Sequence, residues 1–280
     1  RVPIAIPMSL RADGPASNRV CVFVHGLMAT DDRWRFRDDR STTYGSLLAR
    51  DRGVTPVYAS YNSGRRIAVN GAELAERLDV MVRTWPVPIT ELSLVGHSMG
   101  GLVARSALHH GVVADQGWTT VACRLVLLGV PNHGSGLAHA GHALEVALSS
   151  MGVSAARRVG DLVGRRSEGL KDLRYGTVAD GLGPDAPARL PEGLDVFVGA
   201  ASAFGDGEHP VTRVLGDLLV SRRSAHGQLC ENDRVVVFPS TGHVSLAANP
   251  IVYAQLLTWW DAPPSSSAGP PPPPAPLDTA

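Results

Sequence analysis

The sequence predicts an α/β layered fold built on a mostly parallel sheet. Short runs rich in Val and Leu recur along the chain, most of them apolar throughout instead of alternating, and the stretches between them have helical or loop-like composition. A strand covered by helices on both faces must be apolar on both, so continuous runs mark the interior of a parallel sheet. The runs are residues 20–24, 54–59, 92–95, 125–128, 196–198 and 235–238, each bounded by turn residues and too short to be more than a strand.

Helices fit the gaps. Between Gly71 and Pro86 the apolar residues Leu74, Leu78, Met81, Val82 and Trp85 form one helical stripe, which the proline then stops. Asn249-Pro250 is an N-cap followed by proline at the first helical position, and Val252, Leu256, Trp259 and Trp260 make the buried side of the helix it opens. That helix closes the folded domain near Asp261. From 262 to 280 the chain is almost entirely Pro, Ser, Gly and Ala, with five consecutive prolines at 270–274, and is expected to be a disordered or polyproline II tail. About sixty residues separate the strand ending near Pro131 from the one beginning near Asp195, too many for an ordinary connection. Segments 136–151 and 153–166 have helical composition, so a small helical cap over one end of the sheet, within about 132–192, is expected.

Composition narrows the function. A chain of 280 residues with 44% hydrophobic content can bury one large core, or at most two modest ones. No apolar run approaches the roughly 20 residues that span a bilayer. Arg1 does not open a cleavable leader, so any targeting segment is expected to be already removed or never present. A cytoplasmic location is slightly favoured, and a secreted one stays open. Basic and acidic residues balance at 26 each with no basic stripe, which argues against nucleic acid and suggests a neutral or weakly charged substrate. Cys21, Cys123 and Cys230 are widely spaced with no CxxC pair, so neither a zinc knuckle nor a disulfide framework is implied; Cys21 and Cys123 read as small buried hydrophobes. His139, His142 and Glu145 could share a helix face, but no H-E-x-x-H accompanies them, and a solvated cap helix is the better reading.

The decisive segment runs Leu92-Ser-Leu-Val-Gly96-His97-Ser98-Met99-Gly100-Gly101-Leu102: an apolar strand, then G-x-S-x-G, then a helical run. A strand turning abruptly into a helix holds one side chain proud of the sheet only if its neighbours lack bulk, which Gly96 and Gly100 provide. Ser98 is therefore the expected nucleophile. The strand at 20–24 ends in His25-Gly26-Leu27, and in such an arrangement the loop after it lies beside the elbow. The N–H groups of Leu27 and Met99 are the expected oxyanion donors, and His25 and His97 are expected to brace their loops.

Serine needs a base held by a carboxylate, in the chain order Ser, acid, His. His243 follows the last run at 235–238 and is the expected base, whereas His209 and His226 fall in earlier polar loops. Asp206 and Asp217 both follow the run at 196–198, and spacing does not choose between them.

The chain resembles the bacterial α/β-hydrolases of the lipase and esterase superfamily, in particular the group with a PGAP-like (glycosylphosphatidylinositol deacylase-like) lipase domain. His25-Gly26-Leu27, Thr55-Pro-Val-Tyr-Ala-Ser-Tyr-Asn-Ser-Gly64, Trp85-Pro-Val-Pro88, Gly96-His-Ser-Met-Gly-Gly101, Leu215-Gly-Asp217-Leu-Leu-Val220 and Gly242-His243 carry the resemblance, over about residues 20–260. In that family the Gly-Asp-x-x-Val motif holds the triad acid, so the resemblance selects Asp217. Two stretches depart from the family: Val130-Pro-Asn132-His133-Gly134, on the pocket wall, and Gly242-His243-Val-Ser-Leu, beside the base. The expectation is a cofactor-independent esterase or lipase acting on a small-molecule or lipid ester, without stable membrane insertion. Its rivals are an acyltransferase or thioesterase on the same triad, and a silent hydrolase fold used as a binding module.

Overall fold

The computed structural model describes residues 7–130, 179, 188–201 and 234–263. Seven strands form one sheet: β1 (Ser9–Ala12), β2 (Arg19–Val24), β3 (Thr55–Ser60), β4 (Glu91–His97), β5 (Ala122–Leu128), β6 (Asp195–Ala201) and β7 (Val235–Phe238). Their order is β1-β3-β2-β4-β5-β6-β7; only the β1–β3 pair is antiparallel. All six expected runs are strands. The expected cap falls outside the described residues except for Ala179 and residues 188–192, as do residues 264–280 of the proline-rich tail, Cys230 and the His139, His142, Glu145 group.

Helices α1 (Tyr44–Arg52), α2 (Ile67–Thr84), α3 (Met99–Val113) and α4 (Pro250–Trp260) cover the sheet. The alternation along β2 sorts the two cores. Val20, Val22 and Val24 join Leu74 and Leu78 of α2 and Leu102 and Val103 of α3 on one face. Cys21 and Phe23 join Tyr44 and Leu48 of α1 and Leu256 and Trp259 of α4 on the other. Cys21 is fully buried and Cys123 partly so, and both are free thiols.

Helix α2 starts at Ile67, four residues before Gly71. That glycine is a packing residue inside the helix: a Cβ there would overlap Ser106 Oγ of α3 at 2.0 Å, so its absence lets the two helices close on each other. The helix ends at Thr84, and Trp85 lies just beyond it, its indole N–H donating to the Ser17 carbonyl (2.9 Å). Helix α4 begins as expected, with the Asn249 side chain accepting from the Ile251 N–H (2.8 Å) and proline at the first turn.

Candidate active site

Strand β4 passes directly into α3, and Ser98 sits at the junction with φ 55° and ψ −129°. A side chain other than glycine pays about 1–3 kcal/mol for such a conformation, which persists only where the surroundings fix it. Here they do. The Ser98 N–H donates to the Leu128 carbonyl (2.9 Å) and its own carbonyl accepts from the Gly101 N–H (3.0 Å). A Cβ on Gly96 would stand 2.4 Å from the Gly101 Cα, and one on Gly100 would stand 2.2 Å from the Val24 carbonyl oxygen, so strand and helix approach as closely as bare backbone permits. The first helical residue, Met99, has an N–H that no turn of its own helix can use.

The loop after β2 lies against this junction, where a Cβ on Gly26 would be 3.0 Å from the Ser98 Cβ and 3.1 Å from the His97 carbonyl oxygen. His25 braces the loop: it stacks on Tyr61 with ring centroids 4.5 Å apart, its Nδ1–H donates to the Gly26 carbonyl (2.9 Å), and the Tyr61 hydroxyl donates to the His25 carbonyl (2.6 Å). One residue on, the Met28 N–H donates to the Ser63 hydroxyl (2.9 Å). The Leu27 N–H makes no hydrogen bond among the described residues.

His243 opens a short 3-10 turn, His243–Ala247, after β7. Strand β7 is held to β6 at its start by the Arg234–Asp195 ion pair, with the Arg234 guanidinium over the Phe197 ring. The Tyr44 hydroxyl fixes the turn from α1, donating to the Leu246 carbonyl (3.0 Å) and accepting from the Asn249 N–H (2.8 Å). His97 holds His243 itself. Its Nε2–H donates to the His243 carbonyl (2.9 Å), and the two rings lie 5.0 Å apart. Burial pushes the His97 imidazole down to about 3; the ring is neutral at ordinary pH, with its proton on the nitrogen that faces the carbonyl. His25 and His97 are thus bracing residues.

Burial, with a smaller contribution from the Arg33 charge, pushes the His243 imidazole down to about 4, keeping it unprotonated and able to accept a proton at neutral pH. Its Nδ1 is buried and has no hydrogen-bond partner among the described residues. Gly129, at φ +60°, faces this ring, and a Cβ there would stand 2.9 Å from Nδ1. Sequence reading missed Gly129 and Tyr44: a lone glycine after a strand reads as a turn, and Tyr44 belongs to a helix whose pattern is weak. The structure brings Ser98, Met99, Leu27 and His243 to one end of the sheet. Asp217 and Asp206, with His209 and His226, lie outside the described residues.

Residues 15–122 match the family described as "Putative serine esterase (DUF676)", less than half of the chain but including the Gly26 loop and the Ser98 elbow. Among solved structures, the mature Bacillus licheniformis lipase BlEst2 is similar at 20% identity and a TM-score of 0.59, covering 90% of this chain and 97% of that one. The fold is that of the α/β-hydrolases. An α/β-hydrolase fold protein from Chitinophaga pinensis is similar at 13% identity and a TM-score of 0.54, covering 91% of this chain and 94% of its own. A hydrolase from Pseudomonas aeruginosa PA01 is similar at 17% identity and a TM-score of 0.52, covering 91% and 94%. No curated protein matches the sequence, and none of these similarities singles out the PGAP-like group. An α/β-hydrolase fold together with the esterase family match supports a hydrolase.

Proposed function

We propose that this α/β-hydrolase cleaves carboxylic esters through an acyl-enzyme, as an esterase or lipase. The observation that carries the reading is Ser98 itself, held at φ 55° between a buried strand and a helix N-terminus, with the Gly26 loop against its Cβ. In this account the Ser98 Oγ attacks the ester carbonyl while its proton passes to His243 Nε2. The N–H groups of Leu27 and Met99 hold the oxyanion, each worth about 3 kcal/mol when such a donor is removed. Collapse of the tetrahedral intermediate expels the alcohol, which takes the proton from the imidazolium. Water, deprotonated by the same His243, then releases the acid and restores Ser98.

The buried Nδ1 of His243 calls for an acceptor, because an imidazole that takes a proton at Nε2 must carry one at Nδ1. Asp217 is our candidate for that carboxylate, on the strength of its Gly-Asp-x-x-Val motif. The same account takes residues 1–261 as the hydrolase domain, with a cap within 132–192 and a proline-rich tail from 262. No helix of the described residues is long and apolar enough to cross a membrane.

A panel of p-nitrophenyl esters from acetate to palmitate tests the reading. Saturable hydrolysis with a burst of one p-nitrophenol per protein, absent in Ser98→Ala, is expected. Turnover of the whole panel by Ser98→Ala at the wild-type rate would overturn it.

A further inference from the structure

Next to the His243 turn lies a groove of about 510 Å³ between the segment 28–40 and residues 244–250. Two of its lining residues, Met28 and Val244, are the chain neighbours of Leu27 and His243. Four arginines and two aspartates face it among the described residues. Two of those arginines are already engaged: Arg35 bonds Asp32 at 2.8 Å and Arg40 approaches the same carboxylate at 3.8 Å. Asp38, exposed on the same wall, adds one further negative charge. The guanidinium groups of Arg33 and Arg37 make no ion pair or hydrogen bond among the described residues.

Arg33 is the informative one. It is partly buried, and its charge is disfavoured first by that burial and then by the like charge of Arg37. Arg33 stands on a fixed segment of backbone. It belongs to the short turn Asp31–Trp34, whose Trp34 side chain is fully buried, edge-on to Phe23 (5.1 Å) and close to the His97 ring (6.3 Å). Arg33 is therefore a half-buried cation beside a second cation, its guanidinium without a partner among the described residues, on the wall of the groove and near enough to His243 for its charge to disfavour the imidazolium. Such an arrangement costs free energy in the empty protein, and an anion entering the cavity would offset it. Guanidinium groups meet carboxylate and phosphate oxygens with two parallel hydrogen bonds, which suits them to this task.

We propose that the groove is an anion subsite and that the preferred substrate is an ester bearing a carboxylate or phosphate group, bound by Arg33 and Arg37 while its carbonyl lies at Ser98. The subsite rests on the ester-hydrolase reading for its role in catalysis, but its existence as an anion site does not. Zero net charge suggested a neutral substrate; that figure averages over the whole surface, whereas the groove is a local excess of positive charge.

Two matched pairs test the proposal at low ionic strength. On the acyl side they are p-nitrophenyl hexanoate and mono-p-nitrophenyl adipate, six-carbon chains ending in methyl or carboxylate. On the alcohol side they are the methyl ester of 4-acetoxybenzoate and 4-acetoxybenzoate itself. The wild-type kcat/KM is expected to favour the anionic member of at least one pair by about tenfold or more, a preference that collapses in Arg33→Gln and Arg37→Gln and in high salt. Which pair responds tells which side of the ester enters the groove. Calorimetric titration of the anionic esters into Ser98→Ala, with and without Arg33→Gln, reads binding without turnover, and inorganic phosphate added as competitor shows whether a free anion suffices. Tighter binding that depends on Arg33 supports the subsite even if wild-type protein resists a fluorophosphonate probe, an outcome that would overturn the hydrolase reading alone. Labelling by the probe with no anionic preference in either pair, and no Arg33-dependent binding, would overturn the subsite alone.

Discussion

Replacing Gly26 by alanine isolates the contribution of the Leu27 N–H to the proposed oxyanion hole. The added Cβ would stand 3.0 Å from the Ser98 Cβ, 3.1 Å from the His97 carbonyl oxygen and 3.5 Å from His97 Nδ1. Ordinary carbon contacts lie near 3.5–4.0 Å, so the loop must retreat by about half an ångström. Ser98 cannot yield in its place, because its backbone is tied on both sides to Leu128 and Gly101. A donor displaced by that distance keeps part of its hydrogen bond to the oxyanion. Complete loss of one such donor costs about 10²–10³ in kcat, and the partial loss is accordingly expected to lower kcat by about 10–10²-fold with KM little changed. Gly26 does not adopt a left-handed φ, so alanine adds no backbone strain and restricts the unfolded chain slightly. Thermal stability should therefore stay within a few degrees of wild type. Steady-state kinetics on p-nitrophenyl butyrate, paired with a thermal melt, provides the check. A variant with unchanged Tm and a kcat within about threefold of wild type would refute the role given to this loop.

Further outcomes follow from the same account. Asp217→Asn is expected to lower kcat by about 10³–10⁴-fold with little effect on KM, whereas Asp206→Asn should cost less than about threefold; the reverse pattern in parallel kinetics would make Asp206 the acid. Arg33 holds a positive charge near His243 and thereby disfavours the imidazolium, so Arg33→Gln should raise the pKa of the base. The acidic limb of the kcat/KM profile, which lies where His243 becomes protonated, should then move to higher pH; a shift to lower pH would contradict the placement of that charge. Deleting residues 264–280 should leave kcat and Tm nearly unchanged, since a Pro, Ser and Ala segment has little apolar surface to offset its ordering entropy. A drop of more than about 5 °C in the melt would show that the tail docks on the domain.

Much of the architecture was legible because burial on both faces leaves a plain mark. Runs such as 20–24 and 125–128 are apolar at every position, as only interior parallel strands need be. Strand β1 left no such mark. Ser9–Ala12 is mostly exposed, pairs at the sheet edge and carries Arg11, a charge of the kind that keeps an edge from pairing further. Helix α1 was missed because it buries only a narrow strip around Tyr44 and Leu48; its signal was the capping box between Thr43 and Ser46, with serine where glutamate or glutamine is usual. Gly71 misled in the other direction, since a glycine inside a helix and a glycine before one look alike until the partner helix is seen.

Within the candidate site, Ser98 could be read from local constraint alone, since glycine on either side of a serine between strand and helix has a direct steric meaning. His243 followed from chain order. The acid did not, because spacing does not choose between two aspartates in one stretch; Asp217 rests on the resemblance and on the apolar Leu218-Leu219-Val220 that follows it, whereas Asp206 sits in a segment of turn-like composition at 205–210. The arginine groove was hidden for a different reason. Residues 31–40 hold four Asp and four Arg around two aromatics, a pattern that reads as a solvated loop. Only the burial of Trp34 ties that loop to the core and brings the Arg33 charge near His243.

The central claim is that Ser98 is an activated nucleophile, and the mass of the protein after reaction with a fluorophosphonate tests it most directly. Wild-type protein is expected to gain one phosphonyl group, located by peptide mapping on Ser98. Ser98→Ala should gain none while melting as a folded protein, and His243→Ala should react slowly. Folded wild-type protein that gains no mass, or that carries the group on another residue, would contradict the account.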